Sequence, residues 1–166
     1  MNKIDEKIID LLDTLKVKYT FEPENFVEGE KRYGMIIGYD LIEQIKNQTA
    51  CYVELTDHVY FSNDKVEELN EDHNFVMLHE LTHWTGSRGR LDRLIDARQS
   101  FTGHDTEEMT AHYGAYYLGK HFGIDYEEKI KKLEREFCFA DLKKAKFMAF
   151  LSSKYIINEY KKAKGN

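Results

Sequence analysis

The sequence predicts an α+β fold, with a small sheet in the N-terminal half and helices through most of the remainder. Three observations support this prediction. Apolar residues recur at helical spacing from Ile4 to Leu15, and apolar and polar residues alternate from Ala50 to Phe61. After about Asn70 the apolar spacing is mainly helical. Strands followed by a run of helices are typical of the α+β class.

The N-terminal elements are predicted from these local patterns. A first helix covers Ile4–Leu15, a short strand covers residues 17–21, and the acidic segment from Glu22 to Lys31 is a loop. Residues 36–45 fit helix or strand, and helix is favoured from Asp40 onward. Residues 50–61 predict a hairpin or bent edge strand that turns at Thr56-Asp57.

The C-terminal half predicts four helices. The first begins near Asp72, packs through Phe75, Leu78, Leu81 and Trp84, and ends at a Gly86 cap. The other three are predicted at 105–120, 127–137 and 141–162.

Length and composition describe an ordinary globular protein. We expect the 166 residues to form one domain over 1–166 with a buried core. The hydrophobic content of 42% and charged content of 33% are unexceptional. A net charge of -6 and a pI near 5.7 argue against a dedicated nucleic-acid surface. We therefore expect no nucleic-acid partner.

The cysteines and the N-terminus predict the compartment. Cys51 and Cys138 have no CxxC spacing, which favours a reducing environment over a disulfide scaffold. The first ten residues are charged where a signal peptide requires an apolar core. No apolar run approaches the length of a membrane span. These observations predict a cytoplasmic protein without a membrane partner.

The most informative segment is His79-Glu80-Leu81-Thr82-His83, which has the HExxH form. On a helix, residues i and i+4 lie on one face, so both imidazoles can reach one ion. Two neutral histidines suit zinc, and Glu80 lies where a base for an activated water is needed. The pattern predicts a Zn²⁺ site with His79 and His83 as ligands and Glu80 as the catalytic residue.

A catalytic zinc site needs a third protein ligand. The HExxHxxGxxH continuation is broken here, because Gly89 stands where its last histidine would be. A glutamate from a following helix is the other common solution, and Glu108 is the preferred candidate. Glu107 is the first reserve, and His104 and His112 are lesser candidates.

Glu108 also has a purely structural interpretation. Asp105 followed three residues later by Glu108 is close to a helix capping box. On the predicted helix, however, Glu108 shares a face with Ala111, His112 and Ala115, and small alanines favour a close approach to the motif helix. His112 could then bind the metal directly or orient a ligand.

The region around the HExxH segment resembles a known family. The segments His79 to Arg93, with HWTG and RLDR inside it, and Phe101-Thr102-Gly103 are similar to the zincin-like metallopeptidase domain of ArdC-type antirestriction proteins. Glu107 to Ala111 resembles the start of that family's EEL-x-AE segment. The specific match covers residues 75–118.

The resemblance implies a zincin-like fold in which His79, His83 and Glu108 bind zinc and Glu80 is the catalytic carboxylate. Two departures are visible. The family's last glutamate in EEL-x-AE is replaced here by His112. Larger members carry a separate single-stranded-DNA-binding domain, for which this chain is too short, so that activity is not carried over.

The leading functional hypothesis is a zinc metallopeptidase with a peptide or protein substrate. The first alternative is a zincin-derived binding module that keeps its metal and acts by protein interaction against a host defence system. The second is a structural zinc domain. Candidate donors to a tetrahedral oxyanion are His104, His112, Tyr113 and Tyr117.

Three further features have ordinary interpretations. The strand at Cys51–Leu55 either pairs with an extended peptide or is simply structural. The arginines between Arg88 and Arg98 alternate with aspartates, which predicts a solvated, locally paired loop. His58, His73 and His121 lack metal-ligand spacing and are expected at the surface or in packing.

Overall fold

A computed structural model describes residues 3–21 and 47–165, without the side chain at position 96. The strands are β1 (Lys18–Phe21), β2 (Ala50–Val53) and β3 (His58–Phe61). The helices are α1 (Glu6–Thr14), α2 (Asn63–Glu68), α3 (His73–Thr85), α4 (Leu94–Ala97), α5 (Phe101–Phe122), α6 (Glu127–Glu136) and α7 (Leu142–Lys164).

The sheet is small and contains both kinds of pairing. Its order is β1-β3-β2, with β1 parallel and β2 antiparallel to β3. The predicted hairpin is therefore confirmed, and Asp57 in its turn has a φ of 50°. Within the described ranges 3–21 and 47–165, β2 is an edge strand, and it lies against α3.

The motif helix α3 begins and ends where its sequence predicts. The Asp72 side chain accepts a hydrogen bond from the Phe75 amide at 2.8 Å. Gly86 is the C-terminal cap, but its φ of -79° is available to any residue. The glycine is required for space, because a Cβ there would lie 2.9 Å from the guanidinium carbon of Arg93.

Helix α5 begins four residues before its predicted start. Ser100 caps it by accepting a hydrogen bond from the Gly103 amide at 2.9 Å. Asp105 and Glu108 therefore lie inside the helix, and the capping-box interpretation of this pair is wrong. The physical reason is that Ser100 satisfies a free amide of the first turn earlier in the chain.

The core is formed mainly where α5 packs against α3 and α7. A Cβ at Gly114 would overlap the side chain of Thr82, so the two helices are in close contact at this pair. Ala111 and Ala115, on the same helix, are fully buried. The buried face of α7 includes Ala145, Ala149, Ser152 and Ile156.

Most other predicted elements are confirmed to within two residues at each end, namely α1, β1, α6 and α7. The short helices α2 and α4 were not predicted, since each has one or two turns and too few residues to show a period. The prediction for residues 36–45 lies outside the described residues. No helix in 3–21 or 47–165 is long and apolar enough to cross a membrane.

Candidate functional site

Three of the predicted site residues converge at one point between α3 and α5. The Nε2 atoms of His79 and His83 lie 3.0 Å apart. The Glu108 carboxylate faces both, with Oε2 at 3.4 Å from His79 Nε2 and Oε1 at 3.4 Å from His83 Nε2. The structure thus brings together two imidazoles from one helix and a carboxylate from the next.

These spacings match what a single small cation requires. Ligands about 2.0–2.1 Å from a tetrahedral zinc are separated by about 3.3 Å. The observed separations of 3.0, 3.4 and 3.4 Å are close to that value. His79, Glu108 and His112 form a second, looser group whose donor atoms lie within 4.8 Å of one another.

The other candidates for a third ligand occupy different positions. The Glu107 carboxylate turns away from the two Nε2 atoms and contacts His83 Nδ1 at 2.9 Å. The His104 side chain is 67% exposed and lies 3.7 Å from Asp105. His112 contacts the opposite side of His79, with the two Nδ1 atoms 3.0 Å apart. The geometry therefore favours Glu108 as the donor that faces both histidines.

Arg93 holds Glu107 in place. The guanidinium donates two hydrogen bonds to the Glu107 carboxylate, at 2.9 and 3.0 Å, and a third to Thr85 Oγ1 at 2.7 Å. Arg93 and Glu107 are only 7% and 8% exposed. His83 is thus oriented by the buried Glu107 carboxylate, which is itself fixed by the buried Arg93 guanidinium.

The interpretation of the arginine segment as a solvated loop is wrong for Arg93. Charge alternation alone suggested solvent exposure, whereas Gly86 provides the space through which this side chain enters the protein. The available signal was the HWTG to RLDR spacing, which places an arginine seven residues after a space-making glycine.

Glu80 lies beside the convergence point and is fixed by the edge strand. Its Oε2 accepts a hydrogen bond from the Tyr52 amide at 2.7 Å, and its Oε1 lies 4.0 Å from His79 Nε2. One carboxylate oxygen is therefore held by β2 while the other faces the histidines. Because Tyr52 donates to Glu80, this amide is not available to pair with a peptide along the strand edge.

The electrostatics of the site favour positive charge at the convergence point. Burial opposes ionisation of His83 and Glu108, yet their mutual contacts prevail. The Glu107 and Glu108 carboxylates raise the pKa of His83 well above its usual value. The hydrogen bonds from His79 and His83 lower the pKa of Glu108 well below its usual range. A divalent cation placed there would receive the same stabilisation.

Two neighbouring groups are held neutral. Burial, with a further contribution from His79, lowers the pKa of His112 to about 2. Burial, followed by the charges of Glu80 and Glu108, raises the pKa of the Cys51 thiol to about 12. A protonated thiol is a poor nucleophile, so the site does not suit cysteine-dependent catalysis.

The convergence point opens into a cleft of about 950 Å³. Glu80, Glu108 and His112 line it together with Cys51, Phe75 and Lys129. His104 and His112 remain candidate donors to an oxyanion because both line the cleft. Tyr113 is wrong as a donor, since its hydroxyl bonds to Glu134 and its ring is buried. Tyr117 does not line this cleft.

Ion pairs join the cleft rim, which we define as β2, its turn at residues 54–57, residues 88–92 and Arg98. Arg90 Nη2 donates to both carboxylate oxygens of Asp57, at 2.8 and 2.7 Å, and the guanidinium stacks 3.7 Å from the centre of the Trp84 ring. Arg98 pairs with Glu54. The loop after the motif helix is thereby attached to the sheet. The predicted local pairing is wrong for Arg90 and Arg98, because their partners lie in the turn after β2, more than thirty residues earlier in the chain.

The remaining histidines support the fold, as expected. His58 contacts Thr20 Oγ1 at 2.7 Å and stacks on Tyr60. His73 is buried at the start of α3, near Phe61. His121 lies near the end of α5, exposed and against Phe122.

Comparison with known proteins agrees with this geometry. A family model described as a zincin-like metallopeptidase (MPTase-PolyVal) matches residues 36–135, more than half of the chain. The chain belongs to this family. The resemblance predicted from the HExxH region and the α+β, zincin-like fold class are both confirmed.

Two proteins that are similar to this chain are both longer than it. The Mn(II)-bound crystal structure of the antirestriction protein ArdC from plasmid R388 is 16% identical, with a TM-score of 0.55, over 95% of this chain and 53% of that one. The DNA primase TraC of Escherichia coli is 29% identical over 82 residues, which are 49% of this chain and 8% of TraC.

These proportions limit what transfers from the relatives. The chain spans about half of ArdC and a small part of TraC. Because TraC is named as a DNA primase, the expectation of no nucleic-acid partner stays a prediction from charge alone. The boundary of one domain over residues 1–166 likewise stays a prediction.

Proposed function

We propose that the chain is a zinc-dependent metallopeptidase that hydrolyses peptide bonds. In this proposal His79 and His83 bind the metal through Nε2, and Glu108 binds it through its carboxylate. The observation that carries the proposal is the convergence of these three donors at 3.0–3.4 Å from one another. Membership of the zincin-like metallopeptidase family supports it.

Zinc in such a site supplies a Lewis acid that polarises a carbonyl and acidifies water. Glu80 is the general base. Its Oε2 is held by the Tyr52 amide, so Oε1 is left to take a proton from the attacking water and to pass it to the leaving amine. Strand β2, which contains Cys51, and the face of α5 that lines the cleft form the two sides between which a peptide would lie.

Metal analysis of the purified protein tests the donor set. We expect close to one equivalent of zinc in the wild-type protein and loss of that metal in His83→Ala. Glu71→Gln is the matched control, because Glu71 lines the cleft but pairs with Lys129 away from the donors. Less than about half an equivalent in the wild type, unchanged in His83→Ala, would contradict the proposal.

Glu80→Gln tests the chemistry separately from the metal. We expect this variant to keep its zinc and to lose cleavage of an unfolded protein substrate by at least about 100-fold. Cleavage products are identified by mass spectrometry, again with Glu71→Gln as control. Equal cleavage by Glu80→Gln and wild type would show that Glu80 is not the base.

The second candidate is a metal-containing binding module that acts in antirestriction without proteolysis. The similarity to an antirestriction protein with bound Mn(II) favours it. The same variant separates the two, because a binding module should protect DNA from restriction equally well with Glu80→Gln. The metal analysis includes manganese for this reason.

A further inference from the structure

The two histidines of the donor set have chemically different outer partners. His83 Nδ1 meets the Glu107 carboxylate at 2.9 Å, and Arg93 fixes that carboxylate. His79 Nδ1 meets another imidazole, His112 Nδ1, at 3.0 Å. One ligand is therefore paired with an anion and the other with a second histidine.

The contact between His79 and His112 determines both tautomers. When His79 uses Nε2 as a donor to the metal, its proton must reside on Nδ1. His112 Nδ1 must then accept that hydrogen bond, which only a neutral imidazole can do, and its own proton resides on Nε2. The His112 ring is held for this role between Phe75, at 5.8 Å between ring centroids, and Phe137, at 5.3 Å.

We infer that His112 is a positioning residue that orients His79 as a neutral hydrogen-bond acceptor and so sets how tightly the metal is held. This inference rests on the proposed metal site. A carboxylate partner increases the basicity of a ligating histidine, whereas a neutral partner increases it less. His79 is therefore the weaker electron donor of the two histidines. The metal that they share is held less tightly, and is a stronger Lewis acid, than it would be if both histidines had carboxylate partners.

The geometry distinguishes this role from direct ligation. His112 approaches His79 from the Nδ1 side, while His83 and Glu108 contact its Nε2. One imidazole cannot direct both nitrogens at a single ion. A metal bound by His79, His83 and Glu108 thus leaves His112 next to the ligand and outside the coordination.

Three substitutions at His112 test the inference through zinc affinity, measured by competition with a chelating dye. His112→Glu supplies a carboxylate acceptor and should tighten binding about tenfold. His112→Gln keeps a neutral acceptor and should stay within about threefold of wild type. His112→Phe keeps the aromatic packing but removes the acceptor and should weaken binding about tenfold. Equal affinities in all three would overturn the inference.

Two controls make the result specific. Ala97→Glu adds the same charge to the cleft without replacing the His79 partner, so it should change affinity less than His112→Glu does. The visible spectrum of the cobalt-substituted protein should keep its four-coordinate intensity in His112→Phe. Loss of metal as complete as in His83→Ala would instead make His112 a ligand and refute the positioning role.

Failure of this inference can be told from failure of the proposed function. If the wild-type protein binds no zinc, the proposed metal site itself is refuted. If the wild-type protein binds zinc and the variants at position 112 bind it equally well, the proposed site stands and only the role of His112 is refuted. Thermal unfolding of each variant after treatment with a chelator checks that the fold is retained.

Discussion

The two sides of the cleft are held together by different forces. On the inner side, α3 and α5 are joined by close packing at Thr82 and Gly114. They are also joined by buried Arg93, which binds Glu107 of α5 and Thr85 of α3. On the rim, the loop and the sheet are joined by ion pairs in which Asp57 is 44% exposed and Arg98 is 64% exposed. The proposed metal donors His79, His83 and Glu108 all come from the packed side.

This difference indicates which contacts decide the site. Helix packing tolerates little displacement, so it can hold Glu108 within a few tenths of an ångström of the spacing that a metal needs. Exposed ion pairs are screened by solvent and contribute little stability. We therefore expect changes on the packed side to alter both stability and metal binding, and changes on the rim to alter neither strongly.

The largest effect on stability is expected from Glu107→Gln. This change leaves the Arg93 guanidinium buried without its counter-charge, which should destabilise the protein by about 3–5 kcal/mol. It should also weaken zinc binding about 10–100-fold through His83. Urea unfolding and zinc competition measure the two effects.

Glu108→Gln is the matched comparison for this first prediction, because it lies one residue away on the same helix. It should weaken zinc binding beyond about 100-fold, as loss of a ligand exceeds loss of an outer partner. Stability after chelation should change much less than in Glu107→Gln. The reverse pattern would exchange the roles of the two glutamates.

The next largest effect is expected from Gly114→Val. The added side chain would overlap Thr82, so α3 and α5 must separate, at a cost of about 3 kcal/mol. Zinc affinity should fall with stability, because Glu108 moves with α5. Adding Thr82→Ala should recover part of the loss, and a double variant no more stable than Gly114→Val would argue against this contact.

A smaller effect is expected from Asp57→Asn on the rim. Burial alone would raise the pKa of Asp57, but its hydrogen bonds from Arg90 and Tyr52 lower it. The stabilisation is therefore present above the unfolded pKa of about 3.9 and is lost as the pH falls through the folded value. Screening limits it to about 1 kcal/mol.

Urea unfolding at pH 7 and pH 3 tests this pH dependence. The difference between wild type and Asp57→Asn should be visible at pH 7 and should shrink at pH 3. A difference that is constant with pH would mean that the carboxylate charge is not involved.

The smallest effect is expected from Arg98→Ala. Because the pair with Glu54 is exposed, its loss should change stability by no more than about 0.5 kcal/mol. Zinc content should be unchanged. A loss of metal in this variant would show that the rim controls the donor geometry, against the comparison above.

The predictions from sequence succeeded where the signal was local. The hairpin and α3, with its start near Asp72 and its Gly86 cap, depend on neighbouring residues, and all were found as predicted. They failed where a distant contact decided the outcome. Arg93 has the composition of a solvated loop, but its burial depends on a glycine on one side and a glutamate on another helix.

The sequence by itself determined the chemistry: two histidines one helical turn apart, a carboxylate after the first and a glutamate pair downstream. Only the tertiary structure decided that the two glutamates, Glu107 and Glu108, face different partners. Adjacent helical residues point about 100° apart, so the crossing of α3 and α5 at Gly114 turns Glu108 to His79 and His83 and Glu107 to Arg93. That crossing angle is set by packing between segments about thirty residues apart, which no local pattern encodes.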